Sequence, residues 1–221
     1  MRKSLLLFVM TLLVCSGIQA QIVSSRSVGI ESTPQRPSET MRYLRGGLNM
    51  AGFAGDGAEG MGRKAAYNFA VGFQKPITNI GAYWGMDFGL GSRGWKIDEL
   101  KTMTNNLQVS PFTFGWKYGI TDDFFIDGHI GGFISFDYLG KMKYDGESIS
   151  MGDWEDELDI EWNRFDAGMN IGFGIWYARF TLDFPFQRGF VEAATDSEAY
   201  TSNIMLRLGV AFLKSPHKSC L

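Results

Sequence analysis

The chain has 221 residues and a formal net charge of −3, with 28 Gly and 14% aromatic residues but only 6 Pro and 2 Cys. Two Cys and two His are too few for a disulfide-stabilised scaffold or for a metal site of the zinc-finger type. The slightly acidic balance, with no basic stretch, argues against nucleic acid as a partner. Gly and aromatic residues at this frequency are typical of a strand-rich protein with tight turns, and the length fits one domain.

The N-terminus has the pattern of an export signal. Arg2 and Lys3 precede an apolar run from Leu5 to Val14, and small and polar residues lead to Ala20. We predict a secretory signal peptide at residues 1–20, since a run this short cannot span a bilayer, which takes about 20 residues. A buried helix and a lipoprotein signal at Cys15 are the alternatives. Residues 21–42 are polar, contain two prolines and lack periodicity, which predicts a flexible periplasmic leader.

From Tyr43 onward, apolar side chains recur at every second position, which is the period of a β-strand. Each such segment approaches the roughly 9–11 residues that a tilted membrane strand needs. In the fourth segment the pattern changes phase, which predicts a one-residue β-bulge at Ser110-Pro111. The eight predicted strands are Arg45 to Phe53, Lys64 to Gln74, Ala82 to Gly91, Leu107 to Tyr118, Phe124 to Tyr138, Phe165 to Tyr177, Phe180 to Gln187 and Ile204 to Phe212.

The connections between these strands alternate between short and long. With an even number of strands, the short turns and both termini fall on one side and the long loops on the other, as in bacterial outer-membrane barrels. The short connections are Lys75 to Asn79, Gly119 to Asp123 and Ala178 to Arg179, and the long ones are Ala54 to Arg63, Ser92 to Asn105, Leu139 to Asn163 and Gly189 to Ser202.

We therefore predict an all-β fold, a closed antiparallel eight-stranded transmembrane β-barrel with short periplasmic turns and long extracellular loops. Trp and Tyr residues near the segment ends fit the aromatic girdles of such barrels. The alternative is a soluble lipocalin-like barrel, which would have to crowd its aromatic side chains inside and expose Asp and Gly on its wall.

Four stretches carry a resemblance to a known family: residues 107–112 (LQVSPF), 165–174 (FDAGMNIGFG), 180–190 (FTLDF and QRGF) and 205–209 (MLRLG). On these the chain resembles the porin-family outer-membrane β-barrel domain of Gram-negative bacteria. The resemblance covers residues 43–213, which we predict to be the barrel. It implies a place in the cell outer membrane with lipid around the barrel. It also implies the barrel-assembly machinery as a partner during biogenesis. Barrels of this family usually end on the aromatic residue of the last strand, which this machinery recognises, whereas here a short tail, residues 214–221, follows the barrel that contains Phe212.

Candidate chemistry is sparse. Residues 89–94 match G-x-G-x-x-G but are not followed by a helical pattern, so a dinucleotide site is not supported. A Ser/His/acid site would have to use His129 with Ser135 and Asp127 or Asp137, a grouping that strand alternation produces by itself. We assign no catalytic, cofactor-binding or metal-binding residue and expect no cofactor.

The face that would point into the barrel carries charges of both signs. An eight-stranded barrel is just wide enough for side chains to fill it. We expect these charges to pair as a packed polar core, and a narrow gated ion path is the alternative. The charged residues are Arg45, Lys117 and Arg207 with Asp87, Asp127, Asp137, Asp166 and Asp183.

The longest predicted loop, Leu139 to Asn163, holds eight acidic residues between Asp145 and Glu161. Their spacing does not follow the EF-hand pattern, so a solvated acidic loop is favoured over a divalent-cation site. Trp154, Leu158, Ile160 and Trp162 alternate with the acids, which predicts strands that protrude as a hairpin and could bind a partner at their edge.

The function that these patterns favour is a structural or surface-interaction role, with an extracellular partner of unknown identity at the loop Leu139 to Asn163. The alternative is porin-like passive transport of small solutes or ions. Enzymatic action on lipid ranks third, and we predict that the protein is not an enzyme.

Overall fold

The computed structural model describes residues 40–212 except 79, 98, 122 and 145. The predicted signal peptide, nearly all of the predicted leader and the tail lie outside the described residues. Within the described part of the chain, no helix is long and apolar enough to cross a membrane.

Eight long strands and one short strand account for most of the described chain. One α-helix, α1 (Trp154–Leu158), lies between β6 and β7. The strands are β1 (Met41–Ala54), β2 (Gly62–Pro76), β3 (Ala82–Ile97), β4 (Leu100–Gly119), β5 (Phe124–Tyr144), β6 (Glu147–Ser150), β7 (Phe165–Tyr177), β8 (Phe180–Glu192) and β9 (Tyr200–Phe212).

The eight long strands close into an antiparallel barrel. Each pairs with its neighbour along the chain, β5 pairs with both β4 and β7, and β1 pairs with β9. The short β6 pairs with the end of β5 and forms a hairpin beyond the ring. The predicted closed antiparallel barrel of eight strands is therefore confirmed.

The closing pair of β1 and β9 forms the seam of the barrel. It runs in continuous register from Arg42 opposite Phe212 to Ala54 opposite Tyr200. Beside it, Arg63 of β2 reaches across β1 and donates hydrogen bonds to the carbonyl oxygens of Met50 (3.0 Å) and Ser202 (2.7 Å). The guanidinium group of Arg63 thus links β2, β1 and β9 at the seam, where the first and last strands of the barrel pair.

Side chains alternate along the predicted membrane-length segments of the long strands. On β8, Phe184 and Phe186 are exposed on the outside, whereas Asp183 and Gln187, which flank them, are buried inside. The same holds on β5, where Ile130 and Ile134 point out and His129 and Ser135 point in. An apolar outer wall around a polar interior fits a barrel whose solvent is lipid. The soluble lipocalin-like alternative is therefore not supported.

The predicted bulge is present. The register between β4 and β5 shifts between Val109 and Phe112. Leu107 and Phe114 therefore both point outward, although their positions differ by seven, an odd number that would put them on opposite faces of a regular strand. A second shift, beside Asn105, changes the phase near the end of β5. After it Gly140 and Met142 face inward, where Asp137 did before it.

Several predicted boundaries need correction because the strands continue beyond the membrane-length segments. The segment 92–105, predicted as a long loop, consists of the ends of β3 and β4, which stay paired up to Ile97 opposite Leu100. At the opposite end, β1 begins at Met41, two residues inside the predicted leader. Short connections join β2 to β3, β4 to β5 and β7 to β8, and we call this end of the barrel the short-turn end and the other the long-loop end.

The prediction for the tryptophan-containing part of the long loop was wrong. The hairpin there is formed by β5 and β6, with Lys141 opposite Ser150, and not by the alternating residues after 153. Trp154 begins α1 and is fully buried, so the period of two in this segment does not reflect a strand. Burial of an indole within the loop outweighs the weak local preference for an extended chain.

Glycines on the inward face make room for large interior side chains, as Gly115 does for the ring of Tyr83. A Cβ on Gly115 would overlap the ring of Tyr83, whereas a Cβ on Gly128 of the adjacent strand would have no atom within 4 Å. We expect Gly115→Ala to destabilise the folded barrel by about 1–3 kcal/mol through overpacking. The measurement is the temperature at which the compact band converts to the unfolded band on a gel. Gly128→Ala is the matched control, and equal small effects would contradict the packing described.

Candidate functional site: the charged interior of the barrel

Asp183 is the centre of an ion-pair network near the middle of the barrel. Its carboxylate accepts hydrogen bonds from Nε of Arg207 (3.0 Å) and from Nη1 of Arg45 (3.3 Å). Nε2 of His129 lies 3.7 Å from its other oxygen. Because β8, β9 and β1 are neighbours in the ring, two cations from adjacent strands reach one carboxylate that is completely buried.

Asp127 and Asp87 are held by tyrosine hydroxyl groups. Tyr83 donates a hydrogen bond of 2.7 Å to Asp127, which also accepts one of 3.2 Å from the indole of Trp176. Tyr43 donates a hydrogen bond of 2.6 Å to Asp87. These phenols replace the water that would otherwise solvate the two carboxylates.

Lys117 is the predicted interior cation whose surroundings are mostly aromatic. Its Nζ atom lies 3.6 Å from the ring centroid of Trp176, a cation–π contact, and 3.4 Å from the sulfur of Met41. Among the described residues it has no carboxylate oxygen within 4.0 Å. The pairing predicted for the inward charges is therefore present for Arg45 and Arg207, whereas the charge of Lys117 is stabilised by the cation–π contact with Trp176.

A second group of charges lies nearer the long-loop end, around a residue that the sequence analysis missed. Arg93 contacts Asp166 at 2.8 Å and Asp137 at 3.7 Å, and it also donates a hydrogen bond to Ser135. Thr201 donates a 2.6 Å hydrogen bond to the same carboxylate of Asp166. Arg93 was missed because the third predicted strand ends at residue 91. The strand continues to Ile97, and Arg93 lies on its inward face, an even number of positions after Asp87.

The residues weighed as a catalytic group do not assemble. Ser135 is bonded to Arg93, whereas His129 lies between Asp127 and Asp183. Ser135 lies six positions after His129 on the same strand, or about 20 Å away at the usual rise per residue. A general base must be within hydrogen-bond reach of its nucleophile, which this geometry does not allow.

Apolar side chains close both ends of the charged layer. Met41, Tyr43, Phe125, Trp176 and Ala211 form a buried cluster near the short-turn end. At the long-loop end a second cluster, which we call the cap cluster, extends the inward faces of β3 and β5. It consists of Trp95, Met142, Met151 and Trp154, with Phe53, Met61, Ile97, Leu100, Ile149, Ile160 and Trp162 packed against it.

One cavity between the charged side chains is described, and it is small. A cavity of about 10 Å³ lies among Arg45, Asp87, His129, Gln187 and Arg207, which is close to the size of one water molecule. The predicted packed polar interior therefore agrees with the geometry.

The acidic segment of the long loop does not gather into a metal site. Asp153, Asp156, Glu157, Asp159 and Glu161 are exposed and follow the surface of the loop. In the described residues, no group of three or more His, Cys, Asp or Glu side chains could hold a metal ion.

Comparison with known proteins identifies the architecture. A family model described as "Outer membrane protein beta-barrel domain" matches residues 20–193. Comparison with curated proteins by sequence gives no match.

The solved structures that match the chain share little sequence with it. Ail, the attachment invasion locus protein of Yersinia pestis, in complex with the heparin analogue sucrose octasulfate, is 15% identical, with 79% of this chain and 99% of that chain covered and a TM-score of 0.44. Neisserial surface protein A is 10% identical over 77% of this chain and 97% of that chain, with a TM-score of 0.46. The outer membrane enzyme PagL is 10% identical over 78% of this chain and 99% of that chain, with a TM-score of 0.44.

The central role of Asp183 can be tested by removing its charge. Asp183→Asn leaves two buried guanidinium groups without their carboxylate, so we expect the free energy of unfolding to fall by about 3–5 kcal/mol. Urea titration of the barrel in detergent, followed by tryptophan fluorescence, measures the loss. Asp196→Asn is the matched control because Asp196 is exposed and its positive φ of 57° is one that Asn tolerates.

A double variant separates ion pairing from a general loss of packing. Asp183→Asn combined with Arg207→Gln removes one charge of each sign, so its destabilisation should be smaller than the sum of the two single effects. Strict additivity would mean that the two side chains do not interact and that water screens the interior.

Proposed function

Because the chain belongs to the outer membrane protein β-barrel domain family, we propose that it works in the outer membrane as a closed, non-conducting barrel whose long-loop end is an extracellular interaction surface. The outer-membrane location and the barrel itself follow from the family. The interaction role and the orientation of the two ends are the parts that we propose.

The observation that carries the proposal is the filling of the barrel along its axis. The apolar cluster at the short-turn end, the paired charges in the middle and the cap cluster follow one another. Passive transport needs a continuous aqueous path, and an eight-stranded barrel filled by side chains leaves none. The porin-like alternative is thus weaker than the structural role.

The loops at the long-loop end are joined to one another, which supports an interaction role. Asn163 and Thr195 form backbone hydrogen bonds of 2.9 Å to Ala193 and 3.0 Å to Glu161, and these connect the loop after β6 with the loop after β8. The ring of Trp162 packs edge-on against Phe53 at the end of β1 and against Trp154. Loops that are already ordered lose less entropy when a partner binds.

The contact surface differs from the one predicted from the sequence. Trp154 belongs to the cap cluster and Trp162 packs against it, so the two tryptophans do not form an exposed strand edge. What the loop between β6 and β7 exposes is its row of carboxylates, among them Asp156 and Glu157. A partner at residues 139–163 would therefore meet a polar, acidic surface.

The proposal includes no catalytic step. His129 lies in the interior between Asp127 and Asp183, beyond the reach of Ser135 and of an outer-leaflet lipid. Asp183 is paired with Arg45 and Arg207, and Asp166 is paired with Arg93, so these charged groups are already engaged within the interior.

A conductance measurement tests the closed interior. We expect the purified protein to produce no stable current steps in planar lipid bilayers, because side chains fill the charged layer. A known porin inserted into the same bilayer is the positive control. Reproducible steps from the folded protein would overturn the non-conducting role and favour passive transport.

The proposed orientation is tested with cysteine labelling in a Cys220→Ser background. A Cys at Asp156, exposed in the long loop, should react with a membrane-impermeant maleimide on intact cells. A Cys at Thr78, in the turn between β2 and β3, should react only after the cells are permeabilised. The reverse result would place the interaction surface in the periplasm and refute the proposal.

A further inference from the structure

A row of lysines crosses three neighbouring strands near the long-loop end. Lys96 of β3 is directly opposite Lys101 of β4, and Lys101 is directly opposite Lys143 of β5. Lys141, two residues before Lys143, extends the row on the same face. All four side chains are exposed. We call these four residues the lysine row.

The arrangement is unfavourable in isolation. Side chains that are directly opposite on adjacent strands have Cβ atoms about 4.5–5.5 Å apart, and like charges at this separation repel. Among the described residues, no ion pair joins these lysines to a carboxylate.

The height of the lysine row above the apolar wall indicates what lies beside it. Tyr67 and Tyr138 mark the edge of the outward apolar band, and the hydroxyl of Tyr67 is bonded to Asn105. The lysines follow this level by three to five residues, or about 7–12 Å at a rise of 3.3 Å per residue and a tilt of about 45°. A lysine side chain can bend back along several ångströms of this distance.

Lipid headgroups lie just below the lysine row, within reach of side chains that bend back toward the membrane. A bilayer is about 40–45 Å thick including its headgroups, compared with about 30 Å for its hydrocarbon core, so each polar layer is several ångströms deep. The lysines point sideways from the barrel wall, as the membrane-facing side chains below them do, and not upward from the loops. Their neighbours in a membrane are therefore the lipids beside the barrel.

We propose that the lysine row binds the phosphate groups of outer-leaflet lipids, whose negative charges compensate the repulsion between the lysines. Several cations in register on adjacent strands can hold a headgroup that carries more than one phosphate. The choice of the outer leaflet depends on the orientation proposed above. The experiment below uses vesicles with the same lipid in both leaflets, so its outcome does not depend on that orientation.

The test compares the heat resistance of the folded full-length mature protein in two kinds of vesicle. One kind contains phosphatidylcholine alone, and the other contains phosphatidylcholine with diphosphoryl lipid A. Binding to the folded state alone raises its stability, so the midpoint of unfolding should be higher in lipid A vesicles. The double variant Lys101→Gln, Lys143→Gln should lose at least half of this rise. In phosphatidylcholine alone the variant should equal or exceed the wild type, because one source of repulsion is gone.

The double variant Lys75→Gln, Arg179→Gln is the matched control, because it removes two exposed cations at the short-turn end. It should keep the full lipid A-dependent rise. An equal loss in both double variants would show a general charge effect and overturn the proposal. Stabilisation by soluble heparin through Lys101 and Lys143, without any effect of lipid A, would also overturn it and would identify a soluble polyanion as the ligand.

Discussion

Every charge that points into the barrel must find its partner among the other inward side chains. Closure of eight strands leaves an interior that side chains fill, so bulk water cannot solvate the carboxylates and guanidinium groups there. The structure meets this constraint with three carboxylates (Asp87, Asp127 and Asp183) and three cations (Arg45, Lys117 and Arg207) in one layer. Tyrosine hydroxyls and an indole donate further hydrogen bonds to Asp87 and Asp127. The balance of opposite charges in this layer is what permits a polar interior without an aqueous channel.

The same constraint explains how much of the fold could be predicted from the sequence. A period of two has to persist wherever lipid lies on one side of the wall and packed side chains on the other, so the membrane-spanning parts of all eight strands were found. Even the bulge at Ser110-Pro111 was detectable, because it changes the phase of Leu107 and Val109 relative to Phe112. The same alternation correctly placed the cations Arg45, Lys117 and Arg207 on the inward face of the barrel.

Beyond the lipid the signal weakens, and there the predictions failed. The ends of β3 and β4 lie outside the apolar band, so their outward positions carry Lys instead of Phe or Leu and the segment resembles a loop. Arg93 was lost for this reason. The alternation at Trp154 and Trp162 was misread because a helical turn and a single bridge to Ala194 bury these indoles. Their position depends on contacts with distant loops, which local periodicity does not report.

The seam between β1 and β9 has a consequence for how the barrel is made. The seam pairs residues 42–54 of β1 with residues 200–212 of β9. These pairs have the largest sequence separation of all neighbouring strands in the barrel. Contacts of this kind form late, because the entropy of closing a long chain must be offset first. Until β9 arrives, β1 presents a row of unpaired backbone groups, which hydrocarbon does not tolerate. Insertion into lipid and closure are thus coupled, and a nascent chain that stops before residue 200 has no route to a stable barrel.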